Sequence, residues 1–350
     1  MQMNDIGEKS FLRSLIPSLK RADTFINGFG NDASVIDIGL PEISVAFKID
    51  RAARPIAAYM GWAGFDTWGR LAVTANLSDI LAVGALPTAF MLSVTVPGDW
   101  DPERVRSIIL GAAEACDSKG VAFVGGDTKE GNEANVVGTA IGVINKKKVV
   151  SRRSANVGDS IVLAGRLGGF AGAYLLMKAG LVTKNSGYER CLSHPECAWD
   201  EAKFIFGSCA VTSAVDLSDG LSEGLQLLTS DQQGILLDLD QLPIHDWALK
   251  ASKALNVNAT NFAFTVGDWG MLFSMSDADA QRAVRLAPRG MPLSIIGTVV
   301  PQEAAGFYSG KTKARYKMNC ELGNEHFRRR MENESDYFTQ LVSTEVLSKI

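Results

Sequence analysis

Apolar positions recur along the chain at two spacings, and these divide it into elements. Phe11, Leu12, Leu15, Ile16 and Leu19 lie three and four apart, which predicts a short amphipathic helix from Gly7 to Leu19. A second helix is predicted from Asp66, as N-cap, to Val83; its stripe is Trp68, Leu71, Ala72 and Ala75, and Gly84 and Pro87 follow. Asp101-Pro102 opens a third, with Val105, Ile108, Ile109, Ala112 and Cys116 on one face and Gly120 at its end. Between the helices the period falls to two. Val45, Phe47 and Ile49 alternate with Ala46, Lys48 and Asp50, so Lys48 and Asp50 point the same way, about 6–7 Å apart along the strand. Further strands are expected at Ser34 to Ile38, Thr88 to Val96 and Val136 to Ile144. Val121 to Val124 is read as a short buried strand running to Gly126, with 130–135 as a polar loop. Lys146 to Lys148 is read as a solvated hairpin tip.

The pattern restarts after 152–159. A strand at Ile161 to Ala164 passes through Gly165 to Gly169 into an apolar helix, Phe170 to Ala179. Strand, glycines, helix is the layout of a phosphate-binding turn, although neither glycine-rich nucleotide signature is present. Ala214 to Leu217 feeds a helix carrying Leu221, Leu225 and Leu228, with Ser218 expected as its N-cap. Strands follow at Ile235 to Leu239, Phe262 to Thr265, Met271 to Met275 and Ser294 to Val299, then a charged, partly helical tail from Glu321. Strands and helices alternate in two halves, which predicts an α/β (α+β) chain of two domains, 1–152 and 153–350.

Composition narrows the function by exclusion. A net charge of −4 in 350 residues gives no basic field for nucleic acid or an anionic membrane. No apolar run nears the roughly 20 residues that span a bilayer, and no secretory leader is visible. Five scattered cysteines point to a reducing cytoplasm. Cys191, His194 and Cys197 lack a fourth ligand for zinc, and three histidines outside any nucleophile elbow disfavour Ser-His-Asp hydrolysis.

What remains is a set of acids beside glycines or on element ends. Asp32 follows Gly30-Asn31, Asp50 ends a strand, and Asp79 shares a helix face with Asn76 at i, i+3. Asp127 follows Gly125-Gly126, Asp216 and Asp219 flank Ser218, and Asp268 sits before Trp269 between glycines. Carboxylates brought together cannot all ionise without a counter-charge. Magnesium with a polyphosphate resolves that cost, so the set points to phosphoryl transfer from ATP.

In this order, Gly30-Asn31-Asp32-Ala33, Asp50, Asn76-Leu77-Ser78-Asp79, Gly125-Gly126-Asp127-Thr128, Gly158-Asp159 and Asp216-Leu217-Ser218-Asp219-Gly220 resemble the thiamine-monophosphate kinases. More broadly they resemble the aminoimidazole-ribonucleotide-synthetase-like, or PurM-type, ATP-binding superfamily. Gly7-Glu8 and Gly323-Asn324-Glu325-His326-Phe327 look like that kinase's termini. The resemblance implies a two-domain PurM-like fold and a homodimer paired through its N-terminal sheets, with ATP and several magnesium ions between the domains. It carries the metal-ligand role to Asp32, Asp50, Asp79, Asp127, Asp216 and Asp219, and ATP contacts to Gly126, Asp127, Arg152 and Ser218. Asp127, Asp219 and Lys48 are the expected catalytic residues, and Asp268 and Trp269 the expected substrate contacts.

Departures from the family cluster. Asn31 replaces its first acid, and Lys48 and Ile49 replace hydroxyl residues before Asp50. Ala57 falls nearest its substrate histidine, its late tryptophan falls near Glu321, and the segment around Asp268 is one residue short. The nucleotide shell is kept while the thiamine-phosphate shell is lost, which implies a kinase for another small acceptor; α-ribazole is one candidate. An ATP-dependent synthetase or cyclo-ligase, and a nucleotide binder without turnover, are the alternatives.

Overall fold

The computed structural model describes residues 2–183, 187–319 and 334–350. Its first sheet holds β1 (Ser34–Asp37), β2 (Ile43–Arg51), β3 (Leu86–Val96), β4 (Ala122–Glu130) and β5 (Asn135–Asn145), in the order β1-β2-β5-β3-β4. Neighbours are antiparallel except β3 and β4. α1 (Glu8–Leu15) precedes this sheet and pairs Lys9 with Glu223 of the second half, while α2 (Asp66–Ala82) and α3 (Pro102–Asp117) pack on it. Ala46 and Ala140 form a small-residue floor under α2. A Cβ at Gly138 would collide with Asn76 and Phe90, and one at Gly142 with Ile80. The helix therefore rests almost on backbone. α2 and α3 meet the same way, since a Cβ at Gly69 would meet the Ile108 carbonyl and one at Gly111 the Asp66 carbonyl.

The second sheet has eight strands: β6 (Ser160–Ala164), β7 (Val211–Asp216), β8 (Gln233–Asp238), β9 (Met271–Met275), β10 (Leu293–Pro301), β11 (Gly306–Tyr308), β12 (Arg315–Met318) and β13 (Leu347–Lys349). Their order is β13-β12-β11-β8-β10-β6-β9-β7. Its longer helices are α4 (Gly169–Lys178), α5 (Trp199–Ser208), α6 (Leu221–Leu228), α7 (Asp246–Leu255), α8 (Asp277–Leu286) and α9 (Glu334–Ser343). One apolar core runs across the seam between the halves, joining Leu77, Ile80 and Phe90 to Ala214, Met271 and Phe273. α2 is consequently buried all round rather than along one stripe. Among the described residues no helix is long and apolar enough to cross a membrane. Cys116, Cys191, Cys197 and Cys209 are free thiols.

Several expectations are corrected. Helix α1 ends at Leu15, and a 3-10 turn carrying Pro17 follows. Phe65, not Asp66, occupies the N-cap of α2, and Asp66 pairs with Arg70 inside the first turn. The segment after Val121 is not a short buried strand. It is the edge strand β4, largely exposed and running through Asp127 to Glu130. Phe262 to Thr265 is a 3-10 turn, not a strand. Asn258 caps its start, and the Asn261 amide donates to the Val342 and Thr344 carbonyls at 2.9 Å each. Ser218 does not cap α6, because Gly220 stands at that position. The resemblance at 323–327 lies outside the described residues.

Candidate functional site

Three acids far apart in sequence meet at the end of the apolar seam. Asp32 comes from the turn before β1, Asp79 from the last turns of α2, and Asp216 from the C-terminal end of β7. They meet because α2 packs against both β2 and β7. All three are buried, and one carboxylate oxygen of each lies within 4.8 Å of the other two. Two cations of the chain border them. Both guanidinium arms of Arg152 donate to the Asp32 carboxylate, the Nε bond at 2.8 Å. Lys48 Nζ lies 2.9 Å from Asp79 Oδ2 and 3.8 Å from Asp50 Oδ2. Lys48 and Asp50 do share a face of β2, as their alternation requires.

Asn31 shows why an amide serves where an acid was expected. Its Oδ1 accepts from the Arg152 backbone N–H at 2.9 Å, and its Nδ2 donates to the Asn27 carbonyl at 2.7 Å. An aspartate could only accept. Asn76 and Asp79 do not bond each other; Asn76 donates to the Ala72 carbonyl, leaving Asp79 to Lys48.

The electrostatics follow from this crowding. Burial, and then the charge of Asp32, pushes the Asp216 carboxyl up to about 7, with Arg152, Lys48 and the nearby Ser78 hydroxyl opposing, although Ser78 makes no hydrogen bond of good geometry. Asp79 is raised well above the carboxylate range by burial and by Asp216, although Lys48 draws it back. Burial works against the charges of Lys48 and Arg152, yet their acidic neighbours outweigh it and hold both above their ordinary values. Asp216 Oδ1 accepts from the Ser218 hydroxyl at 3.1 Å, whereas its buried Oδ2 has no hydrogen-bond partner. A buried carboxylate with an unpartnered oxygen, in a group that brings three acids together, has the chemistry of a hard-cation site. Beyond Arg152 opens a cleft of about 660 Å³ against Phe29, Gly30, Asn31 and Arg153.

The other expected residues fall elsewhere. Asp127 is exposed on β4, one position beyond Gly126, and Gly126 stands in the cross-sheet row of Leu92, Gly138 and Asp50. It is not a member of the buried group. Gly126 does need to be glycine, since a Cβ there would strike the Leu92 carbonyl. Ser218 is exposed and Asp219 half-buried.

Asp268 has a different employment. Its carboxylate accepts the backbone N–H groups of Gly168 at 2.5 Å and Phe170 at 2.9 Å. Burial raises it to about 6 against these bonds. The turn that resembled a phosphate cradle is therefore closed by the chain's own anion. Trp269 beside it is half-buried, with a left-handed φ of 52°.

One neighbour escaped the sequence reading. Tyr337 of α9 has a buried hydroxyl without a hydrogen-bond partner, and burial followed by the charge of Asp219 pushes its phenol up to about 12. Nothing in the charged tail singles it out, because the chain folds back from far away to place it.

Known proteins resemble the chain in sequence and in fold. The model of the AIR synthase related protein N-terminal domain matches residues 30–144, and the model of its C-terminal domain matches 156–309. The thiamine-monophosphate kinase of Pyrococcus horikoshii is 35% identical over 179 residues, which are 51% of this chain and 56% of that protein. The thiamine-monophosphate kinase of Halobacterium salinarum is 28% identical over 283 residues, 81% of this chain and 91% of that protein. The solved structure of AaThiL complexed with AMPPCP and TMP superposes with a TM-score of 0.76 at 20% identity. It covers 93% of this chain and 99% of that one, and the likeness shows a shared two-domain PurM-like fold.

Proposed function

Because the chain belongs to the AIR synthase related protein family, we propose that it is a magnesium- and ATP-dependent kinase of a small metabolite. The observation that carries this reading is the buried meeting of Asp32, Asp79 and Asp216 with one carboxylate oxygen left unpartnered. Two relatives that are thiamine-monophosphate kinases favour phosphoryl transfer among the family's reactions. Asp32, Asp79 and Asp216 would hold magnesium, which when bound supplies charge neutralisation at phosphate oxygens. The chain's own part is positioning. Arg152 stands between the acids and the open cleft, so its guanidinium can face a phosphate while Asp32 fixes its orientation. Gly126 leaves the backbone of β4 bare, which suits close approach of a phosphate, and exposed Asp127 would reach it from the sheet edge. Ser218 and Asp219 would face the same phosphate chain from the start of α6.

The acceptor in this reading is not thiamine monophosphate. Ala57 offers no imidazole, and Asp268 already serves the N–H groups of α4. Trp269 is then left to line the acceptor pocket. The reading also includes two domains meeting at 152/153 and a cytoplasmic homodimer without nucleic acid or membrane partners. Ile43, Phe47, Ile49 and Met91 are exposed on the first sheet and suit pairing between two such sheets.

The test is 31P NMR of ATP with the chain and a metabolite panel that includes thiamine monophosphate and α-ribazole. A new phosphoryl resonance with ADP, from an acceptor other than thiamine monophosphate, is expected. A condensed product with ADP and free phosphate would replace the kinase by a synthetase, and an unchanged ATP spectrum would leave a binding protein.

A further inference from the structure

The geometry points to Lys48 as a built-in counter-cation that takes the place of one divalent ion, with Asp50 as a ligand of that ammonium rather than of a metal. The inference rests on the kinase reading for its nucleotide but not for its metal count.

Four carboxylates gather at this end of the fold: Asp32, Asp79 and Asp216 in the buried group, and Asp50 beside them on β2. Two fixed cations face them. Arg152 is committed to Asp32, and Lys48 stands between Asp79 and Asp50 at 2.9 and 3.8 Å. Four carboxyl groups thus meet two fixed cations, and among the described residues Asp216 alone of the four makes no ion pair, which leaves it for a single dication. The unpartnered oxygen shows where that dication belongs. It is Asp216 Oδ2, in a residue only 3% exposed.

Placement makes the lysine a fixed part of the site. Lys48 and Asp50 are two apart on β2, so both project over the face on which α2 lies. The β2–β5 register sets Lys48 opposite Ala140 and Asp50 opposite Gly138, two small residues that leave room for the long side chain to reach Asp79. The Lys48 side chain is 23% exposed, so its stem is held while the ammonium bridges the two acids. A metal ion between Asp50 and Asp79 would have to displace that ammonium.

The experiment counts bound Mn2+ by electron paramagnetic resonance, with and without a non-hydrolysable methylene analogue of ATP. It uses the full chain, Lys48→Ser and Asp50→Asn. The inference expects Lys48→Ser to bind one more Mn2+ per chain than the parent, and Asp50→Asn to bind the same number as the parent. Equal counts in Lys48→Ser, or one fewer in Asp50→Asn, overturn it. Weaker analogue binding by Lys48→Ser at an unchanged count also overturns it, because the lysine would then serve a phosphate. Should Lys48→Ser fail to melt cooperatively, the Asp50→Asn count decides alone. A parent chain that binds Mn2+ but no analogue would end the kinase reading, while the nucleotide-free counts still decide the role of Lys48.

Discussion

Two strand-to-helix turns flank β9, and they have opposite fates. The turn after β6 carries two glycines and leads into α4, which opens on a third; the turn after β7 carries one and leads into α6. Read as sequence, the first has the layout of a phosphate-binding turn without either glycine-rich signature. In the structure it is closed, because the loop before β9 returns Asp268 onto its N–H groups. The second is flanked by Asp216 and Asp219, and its preceding strand ends in the buried group of acids. A helix start attracts whichever anion the fold delivers first. What distinguishes a binding site from a structural cap is therefore the neighbour, not the glycines.

This contrast can be broken at either turn. The largest effect is expected at the open one: Asp216→Asn should weaken magnesium-dependent binding of an ATP analogue by a hundredfold or more, about 2.7 kcal/mol. It should leave the melting temperature near pH 8 undiminished, because a buried charge is removed. Calorimetric affinity within threefold of the parent would take Asp216 out of the site. At the closed turn the sign reverses. Asp268→Ala should cost about 1–3 kcal/mol in urea unfolding, the usual penalty for orphaned buried donors, with analogue affinity unchanged. A large loss of nucleotide affinity there, at unchanged stability, would make the two turns equivalent after all.

Asp127→Asn sharpens the comparison from a third place, since Asp127 is acidic but exposed. A tenfold fall in turnover, about 1.4 kcal/mol, is expected if β4 lends it to the phosphates. An unchanged rate would confine the site to the buried acids. The smallest effect concerns pH. Asp216 titrates near 7 in the folded chain against 3.8 ordinarily, and Asp268 near 6, so the folded state holds protons that the unfolded state has released. Stability of the metal-free chain should then fall as pH rises from about 4 to about 7, and Asp216→Asn should flatten the fall. Scanning calorimetry across that range checks it; a melting temperature that rises with pH would contradict the assigned burial.

The regular elements were legible wherever pattern and caps agreed. Pro102 behind an Asp101 cap starts α3, and the alternation through Lys48 and Asp50 forms β2. The errors at β4 and at 262–264 share one cause, which is that burial and pairing depend on a residue's surroundings. Val124 is apolar yet exposed, because β4 lies at a sheet edge. Phe262 to Phe264 read as a strand yet form a 3-10 turn, because Asn261 is tied to the carbonyls of Val342 and Thr344 some eighty residues on.

The sequence by itself determined the class of fold, the family, and the inventory of acids from which a polyphosphate site could be made, since these depend on local periodicity and on ordered short motifs. Tertiary structure alone decided which acids meet. Asp32, Asp79 and Asp216 come together while Asp268 is drawn to a helix start, and Lys48, beside Asp50 on its own strand, acquires Asp79 from α2. The physical reason is range. Hydrophobic spacing acts within a few residues, whereas a buried charge is tolerated only where distant parts of the chain bring its partner.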